Sequence, residues 1–270
     1  MENGSYLLGT HAEELDRLQF QNQLWRPTAQ DALQRAELQI GESVLDVGCG
    51  PGFAALDLAR MVGPSGRVVG LERSGTYVNA GNAFARQAGL DQLEVRQHDV
   101  LQDPWPQERF DLIWSRWLAM FLPQLEPLLD GIEQCIQPGG RWVVHEYVHW
   151  DTFALHPHGS AVQRFGQACQ RSFRDGGGDP DVNRRLPQML TQRGWTIDAL
   201  HPLPVVGGPD AMAAQWMERF VAVYGQQLQQ LGLWSESDAA EAATEIAHSH
   251  TTTGCFWVGP TLLEVRARRN

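Results

Sequence analysis

The residues whose types and spacing best suit chemistry form a short glycine loop behind an acid. Asp46 is followed by Gly48, Gly50 and Gly52 at alternate positions, and the apolar run before them is typical of a buried strand. Glycine permits positive φ and leaves room for a ligand, while the N-terminus of a following helix offers unpaired N–H groups to negative charge. The pattern predicts a nucleotide site. The alternative is a tight strand-to-helix turn without a ligand.

The spacing of the glycines narrows the choice of ligand. A dinucleotide loop has the pattern G-x-G-x-x-G with a small residue at its last position, whereas the bulky Phe53 follows Gly52 here. A further acid, Glu72, ends the next predicted strand 20 residues after Gly52, where a carboxylate can accept both hydroxyl hydrogens of a ribose. Its alternative role is a helix-start charge beside the N-cap residue Ser74. Asp99 ends the third predicted strand in the same way.

The sequence Asp-x-Gly-x-Gly-x-Gly resembles motif I of the class I S-adenosylmethionine (SAM) dependent methyltransferases. The resemblance, close over residues 41–150 and looser beyond, implies that motif I holds the methionine part of SAM, Glu72 the ribose, and Asp99 with Val100 the adenine. The product would be S-adenosyl-L-homocysteine (SAH). The cofactor residues implied are Tyr6, Asp46, Gly48, Cys49, Gly50, Gly52, Glu72, Arg73, Asp99, Val100 and Ser115.

The elements that must position these residues alternate between strand and helix from residue 42 onward. Such alternation predicts right-handed βαβ units. With the resemblance, we expect an α/β fold: a Rossmann-like, seven-stranded, mostly parallel sheet with helices on both faces, plus a helical lid from insertions. The SAM-binding core is predicted at 41–150. The lid is predicted at 151–180 and 202–253, and the rest of the sheet at 181–201 and 254–270, with an antiparallel last strand near 255–267.

The N-terminal segment, residues 1–40, is predicted to hold one helix at 10–25 and a second between Pro27 and Gly41. The stretch from Tyr6 to Gly9 resembles a segment of some small-molecule methyltransferases in which a tyrosine closes over the cofactor. The alternative is that Tyr6 packs on the core.

The catalytic candidates lie where the fourth and fifth strands end, because open α/β proteins place their chemistry at that edge of the sheet. His149 is the first choice as general base, since histidine titrates near neutral pH. Glu146 is its orienter or substitute, and Arg116 anchors the substrate. A mechanism that relies on positioning alone is an equal alternative. His145, His156 and His158 add to this polar cluster, but strand alternation points Glu146 away from His145 and His149, so we predict no metal site.

Composition excludes several classes of function. The net charge of -11 argues against a nucleic-acid partner, and the absence of a long apolar stretch argues against a membrane span. The four cysteines form no CxxC pair, and the N-terminus lacks a leader pattern, so we expect reduced thiols and a cytoplasmic protein.

We therefore expect SAM-dependent methylation of a hydroxyl or amine on a small molecule, plausibly cyclic or aromatic. The fourth strand ends in Trp-Ser-Arg-Trp, not in the Asn-Pro-Pro-Tyr type of sequence of DNA-base and amide methyltransferases, nor in an acid that binds Mg²⁺. A protein or tRNA methyltransferase, and a non-catalytic SAM-fold interaction protein, are the alternatives.

Overall fold

The fold is built around one large twisted sheet. A computed structural model describes residues 12–270 of the chain. The strands are β1 (Ser43–Val47), β2 (Arg67–Glu72), β3 (Leu93–Gln97), β4 (Phe110–Arg116), β5 (Ile136–His149), β6 (Ala154–His156), β7 (Trp195–Leu203), β8 (Val206–Gly207), β9 (Phe256–Val258) and β10 (Thr261–Arg269). The helices are α1 (Ala12–Arg35), α2 (Phe53–Val62), α3 (Gly75–Gln87), α4 (Glu126–Cys135), α5 (Ser160–Asp175), α6 (Leu186–Gln192), α7 (Met212–Gln230) and α8 (Glu236–Ser249).

The sheet has the order β3-β2-β1-β4-β5-β10-β7. The first five of these strands pair in parallel, and β10 lies antiparallel between β5 and β7. The predicted α/β fold and its inserted antiparallel strand are confirmed. Because β1 and β4 are adjacent in this order, their carboxyl ends and the loops that follow them lie side by side.

Both faces of the sheet are covered, as an almost wholly parallel sheet requires. Alternate residues of β1 belong to two separate apolar clusters: Val44 packs with α1, α2 and α3, while Leu45 and Val47 pack with α4, α5 and α6. This alternation follows from the period of two of an extended strand. The glycine loop therefore leaves a strand whose position is fixed from both sides.

The N-terminal prediction of two helices is wrong, because α1 continues through Pro27 as one helix. A proline inside a helix removes one backbone hydrogen bond and costs about 3 kcal/mol. Burial on either side of Pro27 offsets that cost, since Trp25, Ala32 and Leu33 are all almost fully buried. The continuous helix carries its N-terminal half across the carboxyl edge of the sheet.

The predicted lid segments contain α5, α7 and α8, but they are not purely helical. The strands β6, β9 and β8 form a second, three-stranded antiparallel sheet. The sequence prediction merged β9 with the last strand of the large sheet, whereas a break at Gly259 separates them, and the Gly259 N–H donates to the carbonyl of Val205. The small sheet ties the two insertions together beside the cavity described next.

Candidate active site

The glycine loop adopts the backbone conformation that its sequence predicts. Gly48, Gly50 and Gly52 have φ of 73°, 56° and 82°, a backbone conformation that residues with a Cβ rarely adopt. The N–H groups of Gly48 and Cys49 donate to the carbonyl of Leu71 at 2.9 and 3.0 Å, which fastens the loop to β2. A Cβ on Gly50 would meet no heavy atom within 4 Å. The loop therefore leaves open space directly against its backbone.

Asp46 lies at the end of β1, buried beneath this loop. Burial raises the pKa of its carboxyl to about 7, with the nearby Arg116 charge lowering it and that of Glu72 raising it. The Oδ2 atom is buried and has no hydrogen-bond partner within residues 12–270. An unsatisfied buried carboxylate oxygen is costly, so it marks a place where a ligand or water would be held.

Glu72 is fixed by backbone donors on both of its oxygens. Oε2 accepts from the Gly50 N–H at 3.0 Å, and Oε1 accepts from the Ser74 N–H at 2.7 Å. Burial raises the pKa of this carboxyl, and these two hydrogen bonds lower it. This geometry agrees with the alternative role of Glu72 as a charge beside the N-cap, because Ser74 is the N-cap of α3. Its part in ribose binding stays a prediction.

The other cofactor candidates lie in different surroundings. Asp99 is half-buried and its Oδ1 accepts from the Leu101 N–H at 2.9 Å, while Val100 is buried. The side chain of Arg73 is exposed. Ser115 is buried within the sheet, where its Oγ accepts from the Trp142 Nε1–H at 3.1 Å, so its side chain is committed to the core.

Two further candidates complete the predicted set. Cys49 lines the cavity, and burial raises the pKa of its thiol well above the usual value. Tyr6 lies outside the described residues.

A cavity opens from the glycine loop toward α1 and the insertions, and aromatic side chains dominate its wall. The lid segments contribute Phe153, Phe173, Trp216, Met217 and Phe220. The aromatic residues from the rest of the chain are Phe53, Trp114, Trp117, Phe121, Tyr147 and Trp150. Trp117 packs edge-on against Trp25 at 5.7 Å between ring centroids and stacks with Trp216 at 6.2 Å. Such a wall suits an apolar or aromatic ligand.

Arg116 supplies a cation to this wall. Its Nη2 donates to the Oδ1 of Asn22 at 3.1 Å, its guanidinium lies 4.9 Å from the ring centroid of Trp117, and its Nη1 is buried without a partner in the described part of the chain. Burial lowers the pKa of Arg116 to about 10, so the side chain remains charged at neutral pH. Arg116 lines the cavity, and its role as substrate anchor stays a prediction.

Sequence reasoning missed Arg17, which joins α1 to the lid. Its guanidinium makes two 2.7 Å bonds to the carboxylate of the fully buried Glu14, and its Nη1 donates to the Oε1 of Gln21 at 3.0 Å. The same Gln21 oxygen accepts from the Trp216 Nε1–H at 3.0 Å. The i, i+3 and i+7 spacing of Glu14, Arg17 and Gln21 was the available signal, because such residues share one helix face.

The structure does not bring His149 to the cavity. Its side chain is 56% exposed, and its Nδ1 lies 3.2 Å from the Oδ1 of Asp151 and 3.1 Å from the Nη2 of Arg184. The reason is a break in the strand register: Leu262 pairs with Tyr147 but Thr261 pairs with His149, which leaves one extra residue on β5. A bulge of this kind turns the following side chain away from its expected direction.

Glu146 and His145 are both fully buried, and neither is among the described residues that line the cavity. Glu146 accepts hydrogen bonds from backbone N–H groups, and burial raises the pKa of its carboxyl to about 8. His145 lies 3.5 Å from Glu264, and burial lowers the pKa of its imidazole to about 4. The candidates His156 and His158 are exposed.

Two features are absent from residues 12–270. No group of three or more histidine, cysteine, aspartate or glutamate side chains is placed to hold a metal ion. None of the helices in that range combines the length and the apolar character that crossing a membrane requires.

Comparison with known families agrees with this geometry. Residues 38–191, more than half of the chain, match the family described as "Methyltransferase domain". The chain belongs to this family. The predicted relationship to the class I SAM-dependent methyltransferases is thereby confirmed.

Individual relatives share the central part of the chain. A sterol 24-C-methyltransferase of Eremothecium gossypii is 32% identical over 120 residues, 44% of this chain and 32% of that protein. A nocamycin O-methyltransferase of Saccharothrix syringae is 32% identical over 119 residues, 44% of this chain and 42% of that protein. The matched region therefore spans less than half the length of either curated relative.

Solved structures of other proteins share this fold. The geranyl diphosphate C-methyltransferase of Streptomyces coelicolor A3(2), crystallised with Mg²⁺, geranyl diphosphate and SAH, superposes with a TM-score of 0.58 at 17% identity, covering 98% of this chain and 87% of that one. At this identity the likeness concerns the fold.

Proposed function

We propose that this protein transfers a methyl group from SAM to a small apolar or aromatic molecule held in the aromatic cavity. The observation that carries the proposal is that one cavity is lined both by the glycine loop, at Gly48 and Gly50, and by the aromatic wall of the lid. A cofactor held against the loop would then face an acceptor held by the wall.

The residues present fit SAM. The open space against Gly50 admits a ligand to the loop backbone, and the orphaned oxygen of Asp46 can accept from an ammonium group. Glu72, held at the end of β2 by two N–H groups, keeps lone pairs for ribose hydroxyls. Asp99 with Val100 follows at the end of β3 for the adenine. SAM would supply the electrophilic methyl group.

The chain's own contribution is alignment of the acceptor. The described residues that line the cavity include no histidine, and their one carboxylate, Asp46, belongs to the loop side. No side chain there resembles a free general base, so we favour the positioning mechanism over the base mechanism. The lid segments, which place five side chains in the wall, close over the acceptor and keep water out.

Arg116 favours an oxygen nucleophile. Its charge repels an ammonium ion, whereas its N–H donors favour the deprotonated form of an acceptor hydroxyl, which would release its proton to water before methyl transfer, and this lowers the need for a side-chain base. We therefore propose a hydroxyl in preference to an amine. The name of the nocamycin relative is compatible with this choice.

A second candidate is methylation of an alkene carbon. Aromatic faces stabilise a developing cation, and an alkene has no proton to lose before attack. The carbocation that forms would then release a proton from a neighbouring carbon to water. The aromatic wall supports this candidate, as do the names of the sterol and geranyl diphosphate enzymes. The contribution of the lid segments to the wall argues against a protein or tRNA acceptor.

The test is transfer of label from methyl-labelled SAM to a fractionated metabolite extract. We expect labelled small molecules with the wild type, none with Glu72→Ala, and wild-type labelling with Glu236→Ala, an exposed carboxylate on α8 that serves as the matched control. Label found only in protein or RNA would contradict the proposal and support a protein or tRNA acceptor. SAH binding without any labelled product would favour the non-catalytic alternative.

A further inference from the structure

The loop that follows β4, residues 117–121, joins the two sides of the cavity. Trp117, Met120 and Phe121 belong to the wall of the cavity against which the acceptor is proposed to lie (the acceptor wall). Leu118 packs beneath the glycine loop, where a Cβ on Gly48 would lie only 3.0 Å from its side chain. A shift of this loop would therefore move the acceptor wall and disturb the floor of the glycine loop.

The loop has a strained start. Trp117 has φ of 52°, a left-handed conformation that is unfavourable for a bulky residue and persists only where its surroundings impose it. A short 3₁₀ turn, Ala119–Phe121, follows directly. The first N–H groups of such a turn have no partner within it, so they need acceptors from elsewhere.

The acceptors come from two consecutive residues of β5. The Trp117 N–H donates to the carbonyl of His145 at 3.1 Å, and the N–H groups of Leu118 and Ala119 both donate to Oε1 of Glu146 at 2.7 Å. Three successive N–H groups of the loop are thus held by β5. The backbone of Glu146 is fixed in turn, because its carbonyl accepts from Asn183 Nδ2 at 3.1 Å.

We propose that Glu146 is a positioning residue, whose Oε1 holds the loop 117–121 in its strained conformation and thereby shapes the acceptor wall. The consequence for the acceptor rests on the proposed function, whereas the hold on the loop does not. The role differs from that of a base, because the side chain acts through a single oxygen that any carboxyl or amide group can supply.

This difference defines two variants and a control. Glu146→Gln keeps an Oε1 acceptor in place, and Glu146→Ala removes it. The control is Glu264→Gln, at an equally buried carboxylate on the neighbouring strand β10, which is bound by Arg35 at 2.6 Å and, within residues 12–270, makes no hydrogen bond to the loop. A loss of stability common to any buried carboxylate would appear in the control as well.

The first measurement is the near-ultraviolet circular dichroism of the tryptophan bands, which needs no acceptor. Each spectrum is recorded with and without Trp117→Phe, in the wild type, in Glu146→Gln and in Glu146→Ala. In the wild type and in Glu146→Gln, removing Trp117 should change the spectrum by a similar amount. In Glu146→Ala the same removal should change it by less than about a third as much, because the ring is no longer held. An undiminished Trp117 contribution in Glu146→Ala would overturn the proposal.

The second measurement uses an acceptor identified by the labelling screen. Glu146→Ala should raise the KM for that acceptor about tenfold and weaken SAH binding, measured by calorimetry, by no more than about threefold, because three side chains of the loop line the acceptor wall and one, Leu118, packs beneath the glycine loop. Glu146→Gln should stay close to the wild type. Equal loss of kcat in both variants with unchanged KM would assign Glu146 as a base and reject the positioning role. If the screen yields no acceptor, the proposed function fails and the dichroism decides this proposal alone.

Discussion

The two halves of the cavity are built in different ways. The proposed cofactor half draws on the backbone of one loop and on Asp46, and the predicted ribose and adenine residues Glu72 and Asp99 follow at the ends of β2 and β3, all within residues 46–100. The acceptor half takes its groups from α1, the loop after β4, the end of β5, α5 and α7. Local sequence thus specifies the first half, whereas the second exists only once distant segments pack together.

The halves also differ in how polar groups are satisfied. In the cofactor half, Glu72 is held by backbone N–H groups. In the acceptor half, the chain Glu14–Arg17–Gln21–Trp216 satisfies side chains with other side chains. Substitutions in the first half should therefore affect SAH affinity, and substitutions in the second should affect the acceptor. The four predictions below test this division.

The largest expected effect is on the pH dependence of stability, and it concerns two buried carboxyl groups: Asp46 of the cofactor half, and Glu146, which holds the loop 117–121 behind the acceptor half. The folded-state pKa values of Asp46 and Glu146 are raised to about 7 and about 8. Between the ordinary and raised values, the unfolded chain binds fewer protons than the folded one, so stability falls as pH rises, by up to about 1.4 kcal/mol per pH unit for each group. Glu146→Gln removes the contribution of Glu146 to this fall in stability.

Urea unfolding from pH 5.0 to 7.5 measures this effect. The free energy of unfolding of Glu146→Gln should fall less steeply with pH than that of the wild type, a difference on the order of a few kcal/mol across the window. Glu264 is the control, because its pKa is lowered and its contribution changes only at lower pH. Parallel profiles for Glu146→Gln and the wild type would show that the pKa of Glu146 is not raised.

The second prediction concerns the cofactor half. Glu72→Ala should weaken SAH binding about 100-fold, because it removes the predicted ribose acceptor and also releases the N–H groups of Gly50 and Ser74. Asp99→Ala should weaken it by about tenfold, since one predicted hydrogen bond to adenine is lost. Calorimetry with SAH measures both. Wild-type affinity in both variants would mean that the nucleotide lies elsewhere.

The division between the halves explains what the sequence could predict. Residues 41–150 follow a strand and helix alternation that is local, so the sheet, the glycine loop and the place of Glu72 at a strand end could be predicted from this pattern together with the family resemblance. The unbroken helix α1 could not, because the cost of Pro27 is offset only by tertiary burial. The bulge that turns His149 outward depends on how β10 pairs with β5, and no pattern within β5 signals it.

The third prediction concerns Arg116, which lies at the border between the halves. Arg116→Met should raise the KM for the acceptor about tenfold, because the oxygen loses a charged donor, and should leave SAH affinity within about twofold. Arg116→Lys is the matched variant, since it keeps the charge but loses the forked arrangement of donors. Its KM for the acceptor should fall between those of the wild type and Arg116→Met. Reduced SAH affinity in Arg116→Met would move this residue to the cofactor half.

The smallest expected effect is that of His149→Ala. The side chain is exposed and paired with Asp151 and Arg184, and surface pairs of this kind contribute about 0–1 kcal/mol. We expect turnover at saturating acceptor and thermal stability to stay near the wild-type values, within about twofold for turnover. A general base would behave differently, because its loss lowers turnover by about 10² or more while SAH affinity is kept. Such a loss in His149→Ala would place the acceptor at the outer end of β5 and restore the base mechanism. The acceptor half would then supply a catalytic group in addition to aligning the acceptor.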